Sequence, residues 1–350
     1  MNNFSKIQIH YNPILILLLC LISSSFAASP YNGQVKRVVL FDYNVNNDHI
    51  PSRKAIRDAF VRLQALYGFQ LVMLGQTQQA QLNDSILQNT QVLVFSDGMG
   101  DPLPAGPQRL TVENFVQKQG NGLLLLHAAD VALSWQFLKD ASVQLFLSHP
   151  PDGTQGTLYL DTAGLNNPET RNILRGLPNR ITMQDEWYSF PASARVTPGV
   201  TILLSADETT FTPLNPMKDH TMAWSHHMGS GLVAYEALGH RDVWTLANTP
   251  NPKGGPMQDL LWNMTRYLAR DFAGCMDQNY LEFNADATVT KINTTDPNPC
   301  KTKVATGIRS ASHRNIRSVF KSNQKASQWT IPEKGEQKTK LRNVQGKILN

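Results

Sequence analysis

Seven of the nine histidines fall between His49 and His240. Imidazole changes charge near neutral pH, so it serves as acid, base or metal ligand. His127 follows the apolar run Leu123-Leu124-Leu125-Leu126, and His149 precedes Pro150-Pro151. His226 follows Trp224-Ser225, and His240 follows Leu238-Gly239. A lone histidine is ordinarily a hydrogen-bonded structural residue, but several at strand ends are candidates for one site. His127 and His226 are the expected acid/base pair, with Glu186 assisting. His149 and His240 are the expected ligands of a divalent metal such as zinc. No compact motif such as H-E-x-x-H occurs, so a metal site must be assembled from residues far apart in the chain.

Asp185-Glu186-Trp187-Tyr188 is a second constellation. Two carboxylates beside two amphipathic aromatics suit a sugar: rings stack on the pyranose face and acids accept from hydroxyls. Asp185, Trp187, Tyr188 and Trp224 are the expected substrate-positioning residues, with His49 and Asp130. An ordinary turn with Trp187 packed inward is the alternative, and the residues alone leave both open.

These residues need a frame that brings them together. Arg37-Val38-Val39-Leu40-Phe41 reads as a buried strand ending at Asp42. Ser52, after Pro51, is placed to cap a helix with Ile56, Ala59, Phe60, Leu63 and Leu66 on its apolar face. Strands at 69–74 and 92–95 come next, separated by a helical stretch near 80–87. A helix at 106–119, with Leu110, Phe115 and Val116 facing in, leads to the strand 123–126. Continuously apolar strands alternating with amphipathic helices imply a parallel sheet covered on both faces. Ligands of such sheets bind beyond the carboxyl ends of the strands, which here are Asp42 and Tyr43, Ser96 and Asp97, and residues 127–130. Past Pro150 the texture changes. Residues 158–160, 201–204 and 222–224 read as strands, and Gly229-Ser230-Gly231 turns the last into 232–235 as a hairpin. A helix at 256–271, with Leu260, Leu261, Met264, Tyr267 and Leu268 inward, closes the domain near residue 273.

The ends of the chain carry different signals. Lys6, the apolar run 14–22 and the small residues Ser25 and Ala27 read as a signal peptide cut after Ala27. The run is too short to span a bilayer, which takes about 20 apolar residues. Leu19 before Cys20 is too large for a lipobox. The expected location is therefore secreted, periplasmic or cell-surface, with no transmembrane anchor after cleavage. Cys275 and Cys300 then remain as an even pair in an oxidising compartment, where a disulfide is expected. The net charge of +5 is uneven: residues 301–350 hold 12 Lys/Arg against 2 Glu, and the rest 20 against 25 Asp/Glu. No aromatic-interleaved patch accompanies the basic tail, so no nucleic-acid partner is expected.

In order and spacing, His127-Ala128-Ala129-Asp130, Ser148-His149-Pro150, Arg175-Gly176-Leu177-Pro178, Asp185-Glu186-Trp187-Tyr188, Ala223-Trp224-Ser225-His226 and Tyr235-Glu236-Ala237-Leu238-Gly239-His240 resemble the ThuA-like (trehalose utilisation) family over about residues 35–272. His49-Ile50-Pro51 is similar to the family's first-loop histidine. The resemblance implies an α/β fold, a flavodoxin-like or class I glutamine amidotransferase-like parallel sheet, plus here a small disulfide-linked C-terminal extension. Amidotransferases of that class carry a nucleophilic Cys on the turn where this chain has His127, so the thioester route is closed. The resemblance implies instead a small carbohydrate or sugar derivative as ligand. His226-His227-Met228 departs from the family's usual His, acid, aromatic run. The expected organisation is a signal peptide (1–27), a ThuA-like domain (35–272), a Cys-bounded spacer (273–300) and a basic tail (301–350) that resembles a truncated sorting segment. Two functions compete: an exported enzyme using His-based acid/base or metal-assisted chemistry on a sugar, and a non-catalytic carbohydrate-binding or surface-displayed module.

Overall fold

The computed structural model describes residues 35–43, 49–96, 98–241, 255–272, 274–280, 287 and 298–303. The expected signal peptide, Asp97, most of the Cys-bounded spacer and the tail beyond Lys303 lie outside the described residues.

The chain runs β1 (Arg37–Asp42), α1 (Ile50–Tyr67), β2 (Gln70–Gly75), α2 (Asp84–Leu87), β3 (Val92–Ser96), α3 (Pro107–Gln117), β4 (Gly122–Leu126), α4 (Gln136–Ser142), β5 (Thr154–Leu160), α5 (Thr162–Asn166), β6 (Arg180–Asp185), β7 (Thr201–Ala206), β8 (Thr221–Met228), β9 (Gly231–Glu236) and α6 (Pro256–Leu268). The strands form one sheet in the order β2-β1-β3-β4-β9-β8-β7-β5-β6. From β2 to β9 every pairing is parallel. From β9 onward every pairing is antiparallel. The expectation of a parallel sheet therefore holds for one half only. The tight turn at Gly229 and Ser230 joins β8 to β9, and so short a link can only make antiparallel neighbours.

Val38–Phe41, Val92–Phe95 and Leu123–Leu126 are fully buried, as strands covered on both faces must be. A Cβ on Gly122 would lie 2.5 Å from Leu268 Cβ, which places α6 against that face. Tyr67 of α1 stacks on Trp262 of α6 with ring centroids 4.1 Å apart, so α1 shares the face. Gly122 pairs with Leu232. The alternate neighbour Gly231 meets Val116 of α3, which therefore lies on the opposite face.

Four local expectations need correction. Helix α1 starts at Ile50 with His49 as its N-cap, and Ser52 is buried inside the first turn; Pro51 suits that first turn because its missing N–H is not needed there. Leu66 and Leu110 are solvent-facing at 47% and 60% exposure. Leu110 lies two residues before the buried Val112, which swings it about 200° round the helix, and Leu66 lies at the end of α1 beyond the core. Strand β6 was not anticipated, because only Ile181, Met183 and Asp185 turn inward from a polar sequence. The expected face of α6 is buried throughout. Cys275 and Cys300 are joined, with Cα atoms 4.8 Å apart. Among the described residues no helix is long and apolar enough to cross a membrane.

Candidate metal centre

His49, His127, Glu186 and His240 bring one ligand atom each to within 4.8 Å of one another. Each arrives from a segment that follows a strand. His49 is the N-cap of α1, beyond β1. His127 follows β4 directly, Glu186 follows β6 directly, and His240 lies four residues beyond β9. His49 and His127 both take left-handed backbone conformations, with φ of 61° and 48°. Such strain in non-glycine residues costs of order 1–3 kcal/mol and gathers at functional sites.

Hydrogen bonds fix the orientation of the rings. His127 Nδ1 donates to the Ala237 carbonyl at 2.7 Å, which leaves a lone pair on Nε2. That atom lies 3.5 Å from Glu186 Oε2 and 3.0 Å from the Tyr188 hydroxyl, which donates to it. His240 Nδ1 is 2.7 Å from Glu186 Oε2. His49 meets His240 and His127 edge-on, with ring centroids 4.7 Å and 5.2 Å away. His149 stands at the margin, its Nε2 3.5 Å from Glu186 Oε1.

The electrostatics follow from this crowding. Burial, with repulsion from His127 and His240, pushes the His49 imidazole down to about 3. Burial raises the Glu186 carboxyl, but the neighbouring His127 and His240 imidazoles lower it more and hold it well below the carboxylate range. His240 is lowered by burial and raised more strongly by Glu186, so its net shift is upward. Burial raises Asp130 to about 7 and lifts Asp185 and Glu236 as well.

The structure separates the expected site residues into two groups. His49, His127, Glu186 and His240 converge, with His149 and Tyr188 beside them. His226 does not. It pairs with Val233, and Val233 pairs with Leu123 at the start of β4. His127 is four residues further along, about 13 Å at strand rise, so the two cannot act as an acid/base pair. Trp187 and Trp224 are fully buried, their indole N–H groups donating to Thr154 and Ser142 carbonyls at 2.8 Å and 3.1 Å. They are core residues and offer no face to a sugar. Asp185 is sealed too, its carboxylate accepting from the backbone N–H groups of Glu186, Gly239 and His240 at 2.8, 2.9 and 3.0 Å. It ties the Glu186 backbone to that of His240. Asp130 is buried behind His127, where Tyr235 donates to the His127 carbonyl at 3.2 Å.

Three participants escaped the sequence reading. The Ala237 carbonyl that orients His127 carries no side-chain signal at all. Glu236 is a fully buried carboxyl at the end of β9, and a Glu closing the apolar run Leu232-Val233-Ala234-Tyr235 was a readable sign. His220 spans the Glu208 carboxylate and the Tyr188 carbonyl, 2.8 Å from each, and so braces the segment that carries Glu186.

Fold and site together define an α/β protein with three histidines and a carboxylate converging beyond strand ends. The chain belongs to the ThuA family, described as trehalose utilisation, whose model matches residues 37–250. A ThuA-like protein from Bacteroides uniformis is 18% identical with a TM-score of 0.53, the match covering 70% of this chain and 94% of that one. A ThuA-like protein from Parabacteroides merdae is 17% identical, TM-score 0.46, over 72% and 95% of the two chains. The glutaminase domain of Trypanosoma brucei CTPS, solved with bound acivicin, is 9% identical, TM-score 0.40, over 66% and 93%. No curated protein matches the chain.

Proposed function

We propose that this protein is an exported enzyme that binds a divalent metal at His49, His127, Glu186 and His240 and acts on a sugar or sugar derivative. One observation carries the reading: three imidazoles and a carboxylate converge, and the His127 tautomer is set by the Ala237 carbonyl so that Nε2 faces the cluster. Metal-bound histidines ordinarily use their second ring nitrogen in this way. A nitrogen-rich set with one carboxylate suits zinc or a neighbouring transition metal. Charge supports the same reading. Asp185, Glu186 and Glu236 are three buried carboxyls grouped near His127, and a cation among them offsets the cost of that burial.

A divalent ion at this place would polarise a sugar hydroxyl or carbonyl oxygen as a Lewis acid. The chain supplies the rest. His149 Nδ1 donates to the Pro150 carbonyl at 2.6 Å, so its Nε2 is the atom that accepts or releases a proton at the rim. The Tyr188 hydroxyl, now bonded to His127 Nε2, would be released to a ligand were that nitrogen to hold a metal. Such acid–base assistance is typically worth about 10²–10⁴-fold. The sugar assignment rests on the family's description as trehalose utilisation. Export is supported by the Cys275–Cys300 disulfide, a bond favoured in oxidising compartments. With His127 on the turn after β4, and Cys275 bonded to Cys300, we assign no thiol-dependent glutaminase activity.

The competing binding-module reading needs Trp187 as its sugar platform, and the burial of that ring removes it. Metal analysis of purified protein tests the enzyme reading. Stoichiometric divalent metal is expected in the wild type and in His226→Ala, and none in His127→Ala. A metal-free wild type that also fails to take up added zinc would overturn it.

A further inference from the structure

His226 is not part of the cluster, yet its contacts are specific. Its Nε2 donates to the Ala141 carbonyl at 2.9 Å. The next carbonyl, that of Ser142, accepts from Trp224 Nε1 at 3.1 Å and from the Gln144 backbone N–H at 2.8 Å. That last bond closes a three-residue turn centred on Val143, whose φ of 67° and ψ of −51° are those of a γ-turn with positive φ. This conformation is rare and strained for any L-residue. For a β-branched one it is an outlier that persists only when its surroundings impose it. The turn also borders an open cavity of about 340 Å³, lined by Lys139, Val143, Gly199, His226 and His227 among others. Packing therefore leaves it room to relax.

The turn launches a segment that reaches the site. Residues 144–149 form a short strap. Its far end is tied by an isolated bridge in which Ser189 N–H donates to Ser148 O at 2.7 Å and Leu147 N–H donates to Ser189 O at 3.0 Å. Between the turn and the bridge, Phe146 packs on Tyr188 with centroids 4.5 Å apart, and just past the bridge His149 reaches Glu186.

We propose that His226 is a positioning residue: with Trp224 it clamps the strained turn at Val143, and the turn sets the strap that holds Phe146 and His149 against the site. The clamp supplies what the Val143 backbone lacks. Two side chains of β8 hold two successive carbonyls at the end of α4, which fixes the direction in which the chain leaves the helix.

Hydrogen exchange of the full-length protein tests this without any metal, so the fate of the metal reading does not decide it. His226→Phe keeps a ring of similar size and removes the donor. The amides of Gln144 and Leu147 should exchange about five- to tenfold faster, the loss expected for one hydrogen bond, while β1, β3 and β4 stay protected. His226→Gln, which retains an N–H donor, should restore most of the protection. Val143→Gly removes the strain, since glycine accepts positive φ freely, so adding it to His226→Phe should return the strap towards wild-type rates. A merely space-filling His226 predicts no such rescue. Wild-type exchange in His226→Phe, or loosening spread over the whole sheet that Val143→Gly does not repair, would sink the proposal. Should His226→Phe not fold, Val143→Gly alone decides: slower strap exchange supports the strained turn, and faster exchange overturns it.

Discussion

Replacing Asp185 tests how the site is built. Its two carboxylate oxygens accept three backbone N–H groups, from Glu186, Gly239 and His240, in a fully buried position. Asp185→Ala leaves three donors without their partner. Each orphaned buried donor costs about 1–3 kcal/mol. His240 is partly exposed and can recover a water, so we expect about 3–5 kcal/mol in all, at the upper end for single substitutions. Asp185→Asn keeps the shape and one acceptor oxygen, which can still serve Glu186 and His240, and should cost about 1–3 kcal/mol. Urea unfolding followed by circular dichroism measures both. The same carboxylate holds Glu186 and His240 in register, so zinc affinity, read by competition with a chromophoric chelator, should fall about 10–100-fold, the usual effect of losing an orienting partner. Equal zinc affinity in all three proteins would refute the idea that Asp185 sets the cluster, whatever the stability data say.

The electrostatics lead to two further outcomes. Zinc affinity should fall on acidification, because ligands must be deprotonated: although burial lowers His240, Glu186 raises it more, so the metal must displace a proton there, whereas His49, held at about 3, is already neutral. Affinity titrated from pH 8 to 5.5 should decline steadily, and a flat profile would count against the ligand set. Outside the cluster, Arg195 binds Asp161 at 2.6 Å and Asp219 at 2.9 Å. Burial raises the Asp161 carboxyl, but Arg195, with the Ala163 N–H and the Ser205 hydroxyl, lowers it more and holds it below its ordinary 3.8. The stability this gives is complete above that ordinary value and is lost as pH falls through the lower folded one. Arg195→Ala should cost about 1–3 kcal/mol at pH 7, and the gap from wild type should close as pH drops below about 4; a pH-independent gap would show that the pair is not its source.

The apolar runs at Val38, Val92 and Leu123 determined the parallel half of the sheet, because a strand buried on both faces cannot be polar anywhere along its length. His127 was legible for the same reason, as the first polar residue beyond such a run. The histidines at 49, 149 and 240 were visible as strand-end or turn residues, and Asp185-Glu186 as an acidic pair. Their division of labour was not. Two adjacent carboxylates look alike in sequence, but the pleat turns Asp185 inward to backbone N–H groups, while Glu186, just past the strand, faces the histidines. His226 ends the same Trp-Ser-His run whichever way its strand points. Only the antiparallel pairing of β8 with β9 puts it at the opposite end of the strands from His127. Periodicity reports which residues are buried and which strands exist. The direction of each strand, and so which strand ends meet, is set by loop length and long-range pairing, and that decided which of the histidines share a site.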